Sequence, residues 1–135
     1  MQIDRRRPLK ATIGIVGVGH ATYWAQFPGL LEELLDYMAE FEDGVRECGV
    51  QTRNFGMLDD AQSAREALRE LKAADLDFLF VDMLTYATSA TYACIVRELD
   101  VPTVLVALQP LAGMDYDKAT THTQLANDNI CAMPE

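Results

Sequence analysis

Basic residues are scarce in this chain. Its 135 residues include 11 Lys and Arg against 21 Asp and Glu, which gives a formal net charge of −10. Binding to a nucleic-acid backbone or to an anionic membrane surface depends on clustered Lys and Arg. The one basic cluster is Arg5-Arg6-Arg7 with Lys10, and we interpret residues 1–10 as a flexible, solvated tail. The sequence therefore predicts neither a nucleic-acid partner nor a membrane partner.

Cysteine and long apolar runs are also few. Cys48, Cys94 and Cys131 are far apart and lack C-x-x-C spacing, so neither a disulfide framework nor a zinc site is expected. No apolar stretch approaches the roughly 20 residues that span a bilayer, and the first residues lack the apolar segment of a signal peptide. We expect a cytoplasmic protein with reduced thiols.

Short apolar runs alternate with amphipathic segments along the chain. The predicted strands are Thr12–Val18, 50–55, Phe78–Met83 and 101–108. The predicted helices are 28–48, about 60–74, and a third that begins within 85–90 and ends near residue 99. This βαβαβαβ order predicts right-handed crossovers and a parallel sheet. Residues 11–135 should form a single α/β domain. We expect an open, flavodoxin-like sheet of about four strands in the order second, first, third, fourth, with helices on both faces.

Capping and turn residues predict where the helices begin and end. Pro28 suits the first turn of the first helix, and Gly49 should end that helix. Residues 56–60 are predicted as a loop, in which Asp59 or Asp60 caps the second helix. The apolar stripe of the first helix repeats every three or four residues and consists of Leu31, Leu34, Met38, Phe41 and Val45.

The character of the chain changes after the fourth strand. Residues 109–129 form a long polar connection, and long loops at strand ends are usually functional or disordered. Asp128 or Asn129 would cap a further helix with Pro134 in its first turns. Because that helix would only be starting at residue 135, we expect the chain to be the N-terminal part of a longer, multidomain protein.

The loop after the first strand lies at the edge where open parallel sheets bind ligands. Gly17 and Gly19 begin it, but the third glycine of the dinucleotide fingerprint is replaced by Thr22. The second strand also ends without the acid that binds ribose. A tight turn explains the two glycines better than a phosphate site does. The side chains that follow them are His20, Tyr23, Trp24 and Gln26.

Two further alternatives involve a metal ion. Asp82 ends the third strand, where the phosphoacceptor of a receiver domain would lie, but the first strand supplies no carboxylates to hold the required divalent ion. His20 and His122 both fall in loops at the carboxyl edge of the sheet, with Asp82, Asp115 and Asp117 nearby in sequence, yet no H-x-x-x-H or H-x-E spacing is present. Loop histidines that hydrogen-bond locally or touch a substrate are the alternative to a metal site.

A polar and aromatic rim is the interpretation that the residues favour. Amide and imidazole groups that donate and accept hydrogen bonds, beside flat aromatic faces, suit a neutral polyhydroxylated ligand such as a sugar. Alternatively, Trp24 and Tyr86 pack against a neighbouring domain. The rim residues are Tyr23, Trp24, Gln26, Tyr86, Gln109, His122, Gln124 and Asn127.

Several motifs resemble one enzyme superfamily. Residues 17–29, Gly-Val-Gly-His-Ala-Thr-Tyr-Trp-Ala-Gln-Phe-Pro-Gly, resemble the opening of the L-arabinose isomerase and L-fucose isomerase superfamily, and look closest to its arabinose isomerase-like branch. Val-Ala-Leu-Gln-Pro at 106–110 is similar to the family's strand end with a substrate-side Gln. Met-Asp-Tyr at 114–116 and Leu-Ala-Asn-Asp-Asn at 125–129 are similar to the loop that follows. The family pattern usually has a polar residue where this chain has Gly19.

The resemblance implies an enzymatic function and different roles for the domains of the enzyme. Enzymes of the family interconvert aldoses and ketoses with a divalent metal, usually manganese, which the middle and C-terminal domains hold. The N-terminal domain lends loop residues to the active site of a neighbouring subunit in a homo-oligomer. By motif position, the sugar-contacting residues here would be His20, Tyr23, Trp24 and Gln109, with Gln26, Tyr86 and His122 as secondary candidates. No catalytic or metal-binding residue would lie in this chain.

We therefore expect an N-terminal substrate-side and oligomerisation domain that is inactive alone. The remaining domains, the neighbouring subunits and the sugar would be its partners. The alternative is a self-contained small-ligand binding or regulatory module with a flavodoxin-like fold.

Overall fold

The computed structural model describes residues 10–130. Its strands are β1 (Thr12–Val18), β2 (Gln51–Leu58), β3 (Phe78–Met83) and β4 (Thr103–Val106). Its helices are α1 (Thr22–Gln26), α2 (Leu30–Glu47), α3 (Ala61–Ala73), α4 (Ser89–Glu98) and α5 (Thr121–Leu125). The basic cluster at residues 5–7, Cys131 and Pro134 lie outside the described residues, and no helix begins at Asp128 or Asn129 within the described range.

The four strands form one parallel sheet in the order β2-β1-β3-β4. β1 lies inside the sheet, and its residues Ile13 to Val18 pair with Phe78 to Met83 of β3 without interruption. Because β1 and β3 are covered on both faces, their sequences are continuous apolar runs rather than alternating ones. The predicted fold class and strand order are confirmed.

Helices cover both faces of the sheet. One face packs against α3 and α4, and Val16, Val81 and Ile95 are fully buried there. The other face packs against α2 and the shorter α1 and α5, with Ile15 and Leu34 in its core. Successive strand residues point to opposite faces, so neighbouring residues such as Ile15 and Val16 contribute to different cores.

The predicted loop at residues 56–60 is wrong, because β2 continues to Leu58. Between the pairs Ile15–Asn54 and Gly17–Met57, β2 carries one more residue than β1. Gly56 sits within this bulge with a left-handed backbone, φ +80°, which glycine adopts without a steric penalty. A glycine in a short polar run looks like a turn in the sequence, although here it bends an edge strand.

The helix ends follow local capping chemistry. Asp60 caps α3, and its Oδ1 accepts hydrogen bonds from the backbone N–H of Gln62 and Ser63, as predicted for this aspartate pair. Gly49, with φ +82°, follows the end of α2 as expected. The placement of Pro28 in the first turn is wrong, because Gly29 is the N-cap of α2 and Pro28 precedes it.

Short elements account for the other differences. The loop after β1 contains α1, the polar connection contains α5, and β4 is limited to Thr103–Val106. The start of α4 at Ser89 lies within the predicted range. Five-residue helices are too short to show a hydrophobic period, so the sequence does not reveal them. Within residues 10–130, none of the helices has both the length and the apolar character to cross a bilayer.

Leu34→Asp should abolish cooperative folding. The Leu34 side chain is fully buried between α2 and the sheet, and an unpaired carboxylate there has neither solvent nor a partner. Its neighbour Leu35 is exposed, so Leu35→Asp should change the free energy of unfolding by less than about 1 kcal/mol. Thermal unfolding followed by circular dichroism compares the two variants, and similar melting temperatures would contradict this packing.

Candidate functional site

The carboxyl edge of the sheet is extended by backbone hydrogen bonds beyond the strands. The N–H of Gly19 donates to the carbonyl of Leu58 at 2.9 Å, and the N–H of Ala21 donates to the carbonyl of Asp59 at 3.0 Å. The N–H of Leu84 donates to the carbonyl of Val18 at 3.1 Å. The segments after β1 and β3 therefore begin from fixed positions at one edge.

A hydrogen bond from the Trp24 side chain connects α1 to the start of α3. Its indole N–H donates to Asp59 Oδ2 at 2.7 Å, and the Ser63 hydroxyl donates to Asp59 Oδ1 at 3.0 Å. A Cβ added at Gly19 would lie only 2.8 Å from Cη2 of Trp24. The indole therefore occupies the space above Gly19, and its one polar atom already has a partner within the protein.

Gly17, within β1, and Gly19, just after it, leave no room for a phosphate. A Cβ at Gly17 would lie 2.7 Å from side-chain atoms of both Leu84 and Met38, and Trp24 fills the space at Gly19. These glycines allow the chain's own side chains to approach the backbone. The structure thus supports the interpretation of the Gly17-x-Gly19 pair as a packing and turn feature rather than a dinucleotide cradle.

His20, Tyr23 and Tyr86 gather at this edge. The His20 and Tyr23 rings meet edge to face with their centroids 5.0 Å apart. Burial, followed by the nearby Tyr86 and Asp128, raises the pKa of Tyr23 above its ordinary value. The phenol is therefore a neutral hydrogen-bond donor and acceptor at physiological pH. Three of the predicted site residues are brought together here, and Asp128 joins them.

Asn129 contributes a buried oxygen at the same edge of the sheet. Its side-chain N–H donates to the Leu84 carbonyl at 3.1 Å, which fixes the orientation of the amide. Asn129 Oδ1 is buried, and it lacks a hydrogen-bond partner among the described residues. The Thr85 hydroxyl donates to the Leu125 carbonyl at 2.6 Å, so the segment after α5 is held against the end of β3. A buried oxygen without a hydrogen-bond partner favours a hydrogen-bond donor from a ligand or from solvent.

His122 lies on the α2 side instead. Its Nε2 is 2.8 Å from Glu33 Oε2, and the Tyr37 hydroxyl donates to Glu33 Oε1 at 2.6 Å. The hydrogen bonds from Tyr37 and His122 lower the pKa of Glu33, and the bond to Glu33 raises the pKa of Tyr37 to about 12. This three-residue chain joins α5 to α2, which gives His122 a structural role here.

The glutamines are separate from the aromatic group. Gln26 is exposed, and its amide N–H donates to the Thr22 carbonyl within α1 at 3.1 Å. Gln109 is exposed and lines a surface hollow with Tyr37 and Phe41 of α2. The sugar contacts that the resemblance implies for His20, Tyr23, Trp24 and Gln109, and for the secondary residues Gln26, Tyr86 and His122, all stay predictions. The side chains of Trp24, Gln26 and His122 hydrogen-bond to other parts of the protein, and Gln109 lies beside α2.

The residues that the sequence interpretation missed are Asp128 and Asn129 as site residues, and Asp59 as the partner of Trp24. The sequence predicts a helix cap at Asp128 or Asn129, because Asn and Asp residues are typical of caps. A run of three polar amide and carboxyl side chains at residues 127–129, after a long polar connection, was the available signal.

The described residues do not form a metal centre. Across residues 10–130, no three His, Cys, Asp or Glu side chains are close enough together to ligate one ion. His20 faces Tyr23 at the sheet edge, whereas His122 pairs with Glu33. The manganese implied by the family resemblance does not fit a site in this part of the chain.

Comparison with models of known protein families gave no match, and comparison with curated proteins gave none. The resemblance to the sugar isomerases accordingly depends on the motif residues quoted above. The site geometry has to be interpreted from its own chemistry.

Asp82→Asn should change how stability depends on pH. Asp82 is buried on the face that α2 covers, in register with Gly17, and burial raises its pKa to about 7. The folded state therefore keeps a proton between about pH 4 and 7 that the unfolded state loses, so wild-type stability falls as pH rises through this range. Removing the charge should make D82N more stable than wild type above pH 7, by up to about 4 kcal/mol, and similar to it at pH 4.

Urea unfolding at pH 4, 6 and 8 measures this difference. Asp36→Asn is the matched control, because Asp36 is exposed on α2 and should give the same difference from wild type at all three values. Parallel stability curves for D82N and wild type would show that the buried carboxyl does not hold a proton.

Gly19→Ala should displace the indole of Trp24. The added methyl would meet Trp24 at 2.8 Å and the sulfur of Met57 at 3.2 Å, so we expect a loss of about 1–3 kcal/mol of stability. Trp24 is the only tryptophan, so its emission should shift to longer wavelength as the ring becomes exposed. Gly113→Ala is the control, since a Cβ there meets nothing within 4 Å. An unchanged emission spectrum in G19A would contradict the contact.

Proposed function

We propose that this chain is the N-terminal, substrate-side domain of a metal-dependent aldose–ketose isomerase similar to the L-arabinose and L-fucose isomerases. The observation that carries the proposal is the grouping of His20, Tyr23, Tyr86 and Asp128 at the carboxyl edge of the sheet, where Asn129 also holds a buried oxygen without a partner among the described residues. The motif at residues 17–29, where the resemblance begins, contributes the first two of these side chains.

The chemistry of this group suits a neutral polyol. Imidazole and phenol groups both donate and accept hydrogen bonds, while the Asp128 carboxylate and the Asn129 oxygen accept them. A sugar hydroxyl can satisfy each of these groups in turn, and a sugar's C–H face packs on aromatic rings. An anionic ligand would meet the Asp128 carboxylate at close range, which disfavours it.

In the reaction, this chain would bind and orient the sugar. Side chains of this edge would hold hydroxyl groups of the sugar, and so fix its position for groups that other parts of the assembly supply. The divalent metal of such enzymes polarises the sugar oxygens, and its ligands would come from domains outside this chain. The remaining domains and the neighbouring subunits of a homo-oligomer are therefore the proposed partners, in the cytoplasm.

Titration of the 135-residue chain with L-arabinose and L-fucose should show weak binding. We expect a dissociation constant on the order of millimolar, because the domain supplies only part of the contacts. Amide chemical shifts should change mainly at residues 19–23, 84–86 and 128–129. Tyr23→Phe and Asp128→Asn should each weaken binding several-fold, because each removes one hydrogen-bonding group. Gln26→Ala is the matched control, since the Gln26 amide bonds within α1.

A coupled assay with Mn²⁺ and the same sugars should detect no ketose from the chain alone. Ketose formation by the chain would overturn the proposal, because it would make this domain a complete enzyme. The absence of shifts with either sugar, together with binding of a non-sugar metabolite at the same residues, would favour the self-contained binding module.

A further inference from the structure

The face of the sheet that α2 covers is only partly protected. Phe41 of α2 meets Phe80 of β3 with ring centroids 5.3 Å apart. Val104 of β4 is in register with Phe80 and therefore points to the same face, yet 43% of its surface is exposed. The opposite face has both α3 and α4 against it, whereas α2 is the one long helix on this face within residues 10–130.

A groove runs beside α2 at this open part of the sheet. Tyr37, Glu40 and Phe41 form one wall and residues 108–111 form the other, around a volume of about 420 Å³. Leu108 is 56% exposed and Leu111 is 43% exposed, so one wall of the groove presents apolar side chains near the polar groups of Glu40 and Gln109. Exposed apolar side chains that lie close together are typical of a protein-binding surface.

Both walls of the groove are held in place. The Tyr37 hydroxyl is fixed by Glu33, which His122 contacts from α5. The N–H of Leu111 donates to Asn127 Oδ1 at 3.1 Å, and the Asn127 amide donates to the Thr123 carbonyl at 2.8 Å. A preformed groove costs less conformational entropy on binding than one that must be ordered.

The negative charge around the groove favours a positively charged occupant. Seven of the 18 residues of α2 are acidic, and Arg46 is its one basic residue. Glu40 lies in the groove wall, and Asp36 lies one turn earlier on the same side of the helix. A second copy of the chain would bring another acidic α2 to this place, and like charges disfavour such a contact. A basic partner is favoured instead.

We propose that this groove binds an amphipathic α-helix of a partner polypeptide. The apolar stripe of the helix, with its residues three and four apart, packs on Val104, Leu108 and Leu111. Lysine or arginine residues beside that stripe face Glu40 and Asp36. The helix completes the second layer over β4, where Val104 is exposed, as parallel sheets require. The walls of this groove do not include His20 or Tyr23, but they do include Gln109, for which the family resemblance implies a sugar contact.

A labelled model helix tests the proposal directly. The probe is a fluorescein-labelled peptide of about 18 residues, with leucines spaced three and four apart and lysines on either side. Fluorescence anisotropy with the 135-residue chain should show binding that Leu108→Asp, Leu111→Asp and Glu40→Lys each weaken about tenfold or more. Val96→Asp is the matched control, because Val96 is 47% exposed on α4 at the opposite face and should have no effect.

Four results would overturn the proposal. Undiminished binding to L108D would show that the peptide attaches through general attraction between its lysines and the acidic chain, and an equal loss of binding in L108D and V96D would show that the groove is not the binding site. Equal binding of a peptide with glutamates in place of the lysines would show that the acidic residues of α2 do not contribute to binding. Self-association of the chain in sedimentation experiments, abolished by L108D, would make a second copy the occupant. Circular dichroism of each variant establishes that it remains folded.

Discussion

The burial of β1 between two layers of helices is the constraint on which the rest of the structure depends. Its backbone pairs with β2 on one side and β3 on the other, so both its position and its direction are fixed. Its side chains alternate between the two faces of the sheet and so contribute to both hydrophobic cores. The segment that follows β1 therefore leaves the sheet at one place, and His20 and Tyr23 are carried there by a rigid strand.

The sequence predicted the elements whose length makes a pattern visible. β1, β3 and α2 show apolar runs or a helical stripe over six residues or more, and the structure confirms each of them. α1 and α5 were missed because tertiary contacts stabilise them: the indole of Trp24 bonds to Asp59, and the Leu125 carbonyl accepts from Thr85. Such bonds join residues that are far apart in the sequence, where no local pattern records them.

The sequence predicts where the candidate site lies better than it predicts which residues form it. The strand order places the ends of β1 and β3 side by side, which brings His20, Tyr23 and Tyr86 to one edge. The direction of a side chain depends on its partners, and the sequence did not reveal that Glu33 would pair with His122. The same limit explains why Asn129 was interpreted as a helix cap, although its amide bonds to Leu84.

Gly19 and Trp24 have a consequence for how this chain can evolve. Each position limits the other, because the indole fills the volume that a side chain at position 19 would need. A larger residue at position 19 becomes acceptable only after Trp24 has been replaced by a smaller one, and that change also removes the bond to Asp59. Relatives of this domain that carry a polar residue at position 19 should therefore differ at positions 24 and 59 as well, so the three positions should covary.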